Sequence, residues 1–192
     1  MPIVRLPTGE LRDEVRQPIY DTIVIGAAES PVGTHQFFAD VQGKSLIQTN
    51  LRQNKLLETA VSYRVQGFSL DAQNEVVANA RALPLLMERS SVQVIIGEKQ
   101  YLQANARYVA GRMWANRAGT TDVALQQYGD AAVQASILHG KHCIDINPLQ
   151  SFYVPWVVDE LSAAEVTACT PAANSELRFM FSFKGLMRRP VQ

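Results

Sequence analysis

The chain has 192 residues and 21.3 kDa, enough to bury one sizeable core without help from disulfides or metals. Lys plus Arg and Asp plus Glu stand at 18 each, for a formal net charge of zero, so the composition lacks the basic excess of a nucleic-acid-binding surface. No apolar run approaches membrane-spanning length and the opening MPIVRLPTGE has no signal-peptide core, which leads to the expectation of a soluble chain made in a cytosol.

Residues 1–17 mix Pro, Gly and charge without a sustained period. They are expected to form an extended N-terminal arm that orders only against another surface, with residues 18–192 as a single domain. Ile19 to Ile25 reads as a strand closed by Gly26, followed by a turn from Ala27 to Gly33. Thr34–Ala39 and Ser45–Leu51 are short strand candidates either side of the turn Gln42-Gly43-Lys44. Val61 to Leu70 alternates cleanly, with Val61, Tyr63 and Val65 facing a core, and Gly67 marks the place for a bulge or bend.

A helix is expected over Asp71–Arg89, capped by Asp71 and stopped or kinked before Pro84. Ser91–Gly97 returns to a strand, Glu98-Lys99 makes a tight turn, and Gln100–Val109 alternates as another strand. From Ala110 to His142 the pattern weakens into a loop punctuated by Gly111, Gly119, Gly129 and Gly140, with a short helix over Asp130–Leu138. Cys143–Asn147 and Phe152–Val158 are strands. In the closing stretch Leu177, Phe179, Phe181 and Phe183 share one parity and Arg178, Met180 and Ser182 the other, the two-residue period of a strand with one buried face. The count is about eight strands with one or two short helices in loops. Helices do not alternate regularly with strands, so the pattern is that of an antiparallel sandwich or barrel rather than a doubly wound parallel sheet.

Catalytic and ligand-binding patterns are thin. Tyr20-Asp21-Thr22-Ile23-Val24-Ile25-Gly26-Ala27-Ala28 looks like the start of a dinucleotide-binding unit, but Ala28 and Pro31 occupy the later glycine positions and no helix follows. His139, His142, Cys143 and Asp145 gather metal-capable side chains, yet His35 is the one remaining histidine and Cys169 is far along the chain; a solvated turn is the expectation. Cys143 and Cys169 have no CxxC spacing and read as two reduced, buried thiols. Cys143 beside His142 diverges in a strand, no Gly-x-Ser-x-Gly elbow is present, and the acid pairs Asp13-Glu14 and Asp159-Glu160 fall in loops or the arm. No catalytic, cofactor or metal residue is assigned. Lys184, Arg188 and Arg189 make a basic end to the last strand, suited to keeping a sheet edge soluble.

Three patches, Ile146-Asn147-Pro148-Leu149-Gln150-Ser151-Phe152-Tyr153-Val154, Phe181 to Gln192, and Val94-Ile95-Ile96-Gly97-Glu98-Lys99-Gln100-Tyr101-Leu102, resemble the jelly-roll capsid proteins of icosahedral phages. The resemblance implies an all-β, antiparallel, eight-stranded jelly-roll sandwich, many copies of which tile a shell. It implies a non-enzymatic structural protein located in the virion, with copies of itself and other capsid proteins as partners. The arm of residues 1–17, with three Arg against three acids, departs from the strongly basic arms that line a genome. Under this expectation, the arm and the loop from Ala110 to Gly140 supply subunit contacts. Two other readings use related sandwiches: a carbohydrate- or receptor-binding module with Tyr101, Tyr108, Trp114 and Tyr128 as stacking platforms, and a cupin-type metal enzyme, which three histidines fit poorly.

Overall fold

A computed structural model describes residues 3–5, 10–72, 82–110, 113–114, 127–128, 142–171 and 176–191. In chain order the strands are β1 (Ile3–Arg5), β2 (Leu11–Arg16), β3 (Ile19–Ile25), β4 (Gly33–Phe37), β5 (Ser62–Ala72), β6 (Ser90–Ile96), β7 (Lys99–Asn105), β8 (Met113–Trp114), β9 (Gln127–Tyr128), β10 (Ile144–Ile146), β11 (Phe152–Val158) and β12 (Leu177–Pro190). Three short helices, α1 (Ala82–Glu88), α2 (Ala106–Val109) and α3 (Ala163–Cys169), lie between them. Among the described residues no helix is long and apolar enough to cross a membrane.

The strands form two main antiparallel sheets. One has the order β1-β2-β12-β5-β10 with β3 also paired to β12, the other the order β4-β11-β6-β7, and β8 pairs separately with β9. The long closing strand β12 is central to the first sheet. One of its edges takes β3 opposite residues 177–183 and β2 opposite 186–190; the other takes β5. β2 and β3 are therefore one long strand interrupted at Gln17-Pro18, where proline has no backbone hydrogen to give the ladder. The antiparallel pairing of β3 also disposes of the dinucleotide-binding pattern, which needs a parallel βαβ unit.

Alternation builds the core. Phe179, Phe181 and Phe183 are fully buried, as are Phe37, Phe152 and Trp156 from the facing sheet and Phe38 just past the end of β4. Their rings interlock: Phe38 stacks on Phe183 at 5.3 Å and 13°, Phe152 meets Phe183 edge-on at 5.7 Å, and Trp156 lies 4.6 Å from Phe179. Each such ring contributes about 1.5–3 kcal/mol on burial, so this aromatic layer is the main tie between the sheets.

The expected bulge sits at Gly67. Lys184 faces Gly67 but Gly185 faces Val65, leaving Gln66 as the extra residue on β5. Three expectations need correction. Ser45–Leu51 is not a strand but a tight turn ending in an isolated bridge from Thr49 to Asp21. Asp71 does not cap a helix: it and Ala72 continue β5, opposite Met180 and Phe179, while α1 begins its described course at Ala82. Pro84 lies within the described helix rather than ending it. Ala106–Val109 leaves the strand as one helical turn, because the Asn105 side chain accepts the Arg107 N–H. The helix expected over Asp130–Leu138 lies outside the described residues.

Candidate assembly surfaces

The connections collect at two ends of the sandwich. At one end Phe152 N–H donates to the Lys55 carbonyl at 2.8 Å and Gly97 N–H to the Ser151 carbonyl at 2.6 Å, joining the 38–61 loop, the 97–98 turn and the 147–151 turn. At the other, Ala28 N–H reaches the Pro171 carbonyl at 2.9 Å and the Asn105 amide reaches the Glu88 carbonyl at 2.7 Å, which brings the three helices together with the 26–32 loop. Large apolar side chains stand exposed on both: Leu46 at 81%, Ile47 at 74% and Leu149 at 67% on the first, Tyr108 on α2 at 77% on the second.

The sheet edges differ in how they receive a neighbour. β7 is guarded: Tyr101 is the extra residue of a bulge, Lys99 sits over its ring at 4.9 Å, and Gln100 bonds Gln103 at 2.9 Å. β10 is three residues long and is tied to β5 by Arg64, whose Nε and Nη2 donate to the Asp145 carboxylate at 2.8 and 3.0 Å. That bidentate bond holds the Asp145 carboxyl below the ordinary range, so Asp145 serves a cross-strand ion pair. At the far side of the same sheet, the expected arm lies on its own chain: β2 pairs with β12, and residues 3–5 pair in turn with β2. Arg188 donates to Glu14 at 2.8 Å there, while Ile3 and Leu11 stay more than half exposed.

The second edge of β3 is closed by the 38–50 loop. Asn50 accepts the Tyr20 N–H at 3.0 Å and gives its amide to the Pro18 carbonyl at 2.7 Å; Thr49 Oγ1 donates to the Tyr20 carbonyl at 3.0 Å. Tyr20 Oη in turn donates to the Leu46 carbonyl. Between them lies a feature that the reading of the sequence missed. Asp21, fully buried, accepts the Phe38 N–H at 2.7 Å and two contacts from Lys44 Nζ at 2.8 and 3.0 Å, and Nζ also reaches the Thr22 carbonyl at 2.8 Å. The signal was available: Asp21 shares the buried parity of Ile19 and Ile25, and a carboxylate there demands a partner.

The metal-capable residues do not converge. His142 is exposed, His35 holds Nε2 2.9 Å from the Pro31 carbonyl with its ring against Trp156, and the described residues contain no group of three or more His, Cys, Asp or Glu placed to share an ion. His139 lies outside the described residues. Cys143 is half-buried and Cys169 buried, and burial pushes the Cys169 thiol up to about 11. Asp159 and Glu160 are exposed in the connection before α3, and Asp13 is half-buried opposite Arg189. Of the tyrosines, Tyr101 and Tyr108 are exposed at the β7 edge and on α2. The β8–β9 register sets Trp114 opposite Gln127 and Tyr128 opposite Met113, so it does not pair Trp114 with Tyr128.

The architecture defines an antiparallel two-sheet β protein whose exposed features are loops and edges. No family model, curated protein or solved structure matches the chain.

Proposed function

We propose that this chain is a capsid subunit: a jelly-roll protein that self-associates, with copies of itself and other shell proteins, into the shell of an icosahedral phage. The connectivity carries the reading. From β3 onward, with the separate β8–β9 pair set aside, the strands alternate between the two sheets as first, second, first, second, second, first, second, first, with the neighbour orders β3-β12-β5-β10 and β4-β11-β6-β7. That alternation is what two interlocked Greek keys in an eight-stranded roll require, and viral shells are one of the settings where such rolls occur. In this reading the aromatic layer supplies rigidity, and the exposed loop ends carrying Leu46, Ile47, Leu149 and Tyr108 supply contact area.

Sedimentation velocity and negative-stain imaging of the purified chain over a concentration series test the proposal. Shells, rings or a growing population of higher oligomers are expected; a monodisperse monomer at every concentration, with shell partners present as well, would overturn it. A second reading, a lectin-like receptor-binding module on the same roll, is favoured by the exposed Tyr101 and Tyr108 on neighbouring elements. A glycan array with hits that disappear in Tyr108→Ala would support it, and an array without hits would remove it.

A further inference from the structure

The 38–50 loop closes the β3 edge through contacts that are almost all polar, and one buried carboxylate stands at their centre. Phe38 has a left-handed backbone, φ +65°, rare for so bulky a residue. Its ring is locked in the core against Phe183, and its N–H is committed to Asp21. Six residues on, Lys44 has three of its contacts within 3.0 Å on Asp21 and the Thr22 carbonyl. Immediately beyond Lys44, the Ser45–Gln48 turn projects Leu46 and Ile47 into solvent. Lys44 is 22% exposed at its side chain and Asp21 is not exposed at all, so the lysine can be released to water while the carboxylate cannot.

We propose that Asp21 and Lys44 form an acid-sensitive latch: when Asp21 takes up a proton, Lys44 lets go and the 44–48 turn leaves the β3 edge, carrying Leu46 and Ile47 with it. The device goes beyond the assembly reading and does not depend on it. The groups around Asp21 are few. β12 places Phe181 opposite, the loop brings Thr49 and Lys44, and the corner brings the Phe38 N–H; Lys44 is the one charged side chain among the described residues that bears on Asp21. Burial raises the Asp21 carboxyl above its ordinary value, and Lys44 and the Phe38 N–H oppose that rise without cancelling it. With the folded value raised, the contribution of Asp21 to stability is full below the unfolded carboxylate range and is lost as pH rises through the folded value. The lowering by Lys44 lasts only while the latch is closed, so the carboxyl sits higher with Lys44 released than with it in place, and taking up a proton favours release.

Hydrogen–deuterium exchange of the full chain, corrected for intrinsic rates, tests the latch from about pH 7.5 to about pH 4.5. Peptides covering 44–50 are expected to lose protection by roughly tenfold or more on acidification, the scale of one charge-assisted hydrogen bond, while peptides from β12 keep theirs. Asp21→Asn is expected to show the unlatched protection at every pH, and Lys44→Met to free the turn at neutral pH. Wild-type protection of 44–50 that is independent of pH, or that falls only together with β12, would overturn the proposal whether or not the variants fold. An Asp21→Asn chain that folds with wild-type protection at neutral pH would do the same.

Discussion

Gly185 shows how one position can be dictated by a neighbour's backbone. The bulge at Gln66 swings the Arg64 carbonyl under β12, and a Cβ at residue 185 would run into that carbonyl and lie 3.0 Å from the Tyr63 ring. Backbone cannot give way as a side-chain tip can, so Gly185→Ala is expected to lower stability by about 3 kcal/mol, read as a shift of the urea midpoint at unchanged slope. Tyr63 beside it is 1% exposed, with its hydroxyl 2.8 Å from the Gln17 carbonyl and 2.9 Å from the Phe183 carbonyl, bridging the break between β2 and β3 to the central strand. Tyr63→Phe is expected to cost about 1–3 kcal/mol. Burial raises the Tyr63 phenol above its ordinary value, so the stability it contributes is full below about pH 10 and is lost as pH rises through the folded value. Alkaline denaturation followed by tyrosinate absorbance should show wild type, but not Tyr63→Phe, releasing one late-titrating phenol together with its fold. Both residues were visible in the sequence as glycine after an apolar strand and tyrosine on a buried parity. Their shared dependence on an extra residue in β5 was not, because a bulge is a fact about two strands at once.

Strands with a buried face announced themselves through alternation. That is why Leu177–Phe183 was legible, and why Val61–Leu70 was found together with its irregularity, while Ile19–Ile25 and Phe152–Val158 were legible as apolar runs rich in β-branched and aromatic residues. Elements fixed by single polar contacts were harder to see. Ser45–Leu51 has strand-like residues, but Gln48 Oε1 accepts the Ser45 N–H at 3.0 Å and Lys44 is pulled to Asp21, so the chain folds back on itself. α3 went unread for a related reason: its seven residues span two turns, too few for a hydrophobic period. Its start was nonetheless written as Ser162-x-x-Glu165, and both halves of that capping box form, with the Ser162 N–H donating to Glu165 at 2.7 Å and Ser162 Oγ accepting the Glu165 N–H at 3.4 Å. Ser162→Ala is expected to cost about 1 kcal/mol, measured as a lowered midpoint of thermal unfolding.

At the scale of the whole molecule, the first sheet is organised around its latest strand. β12 pairs with β2 and β3 along one edge and β5 along the other, so residues 177–190 are the strand that joins the early part of this sheet to its middle part. Contacts of such long sequence separation make for slow folding, on the order of milliseconds to seconds. A chain stopped at Glu176 is expected to lack a cooperative thermal transition by circular dichroism and to be digested by trypsin under conditions in which the full chain survives. Topology of this kind is only indirectly legible in the sequence. The large apolar faces of the late strands required earlier partners, but which strands these were, and in what order, depended on loops whose paths no periodicity records.

This placement bears on how the protein is made. Until residues 177–190 have been made, β3 and β5 lack the strand that lies between them. A prematurely terminated product keeps that gap open and offers unsatisfied amides to proteases and chaperones, whereas a chain that has delivered residues 177–190 can fill it. A fragment that stops short of this strand is thus marked for removal by the opening it keeps.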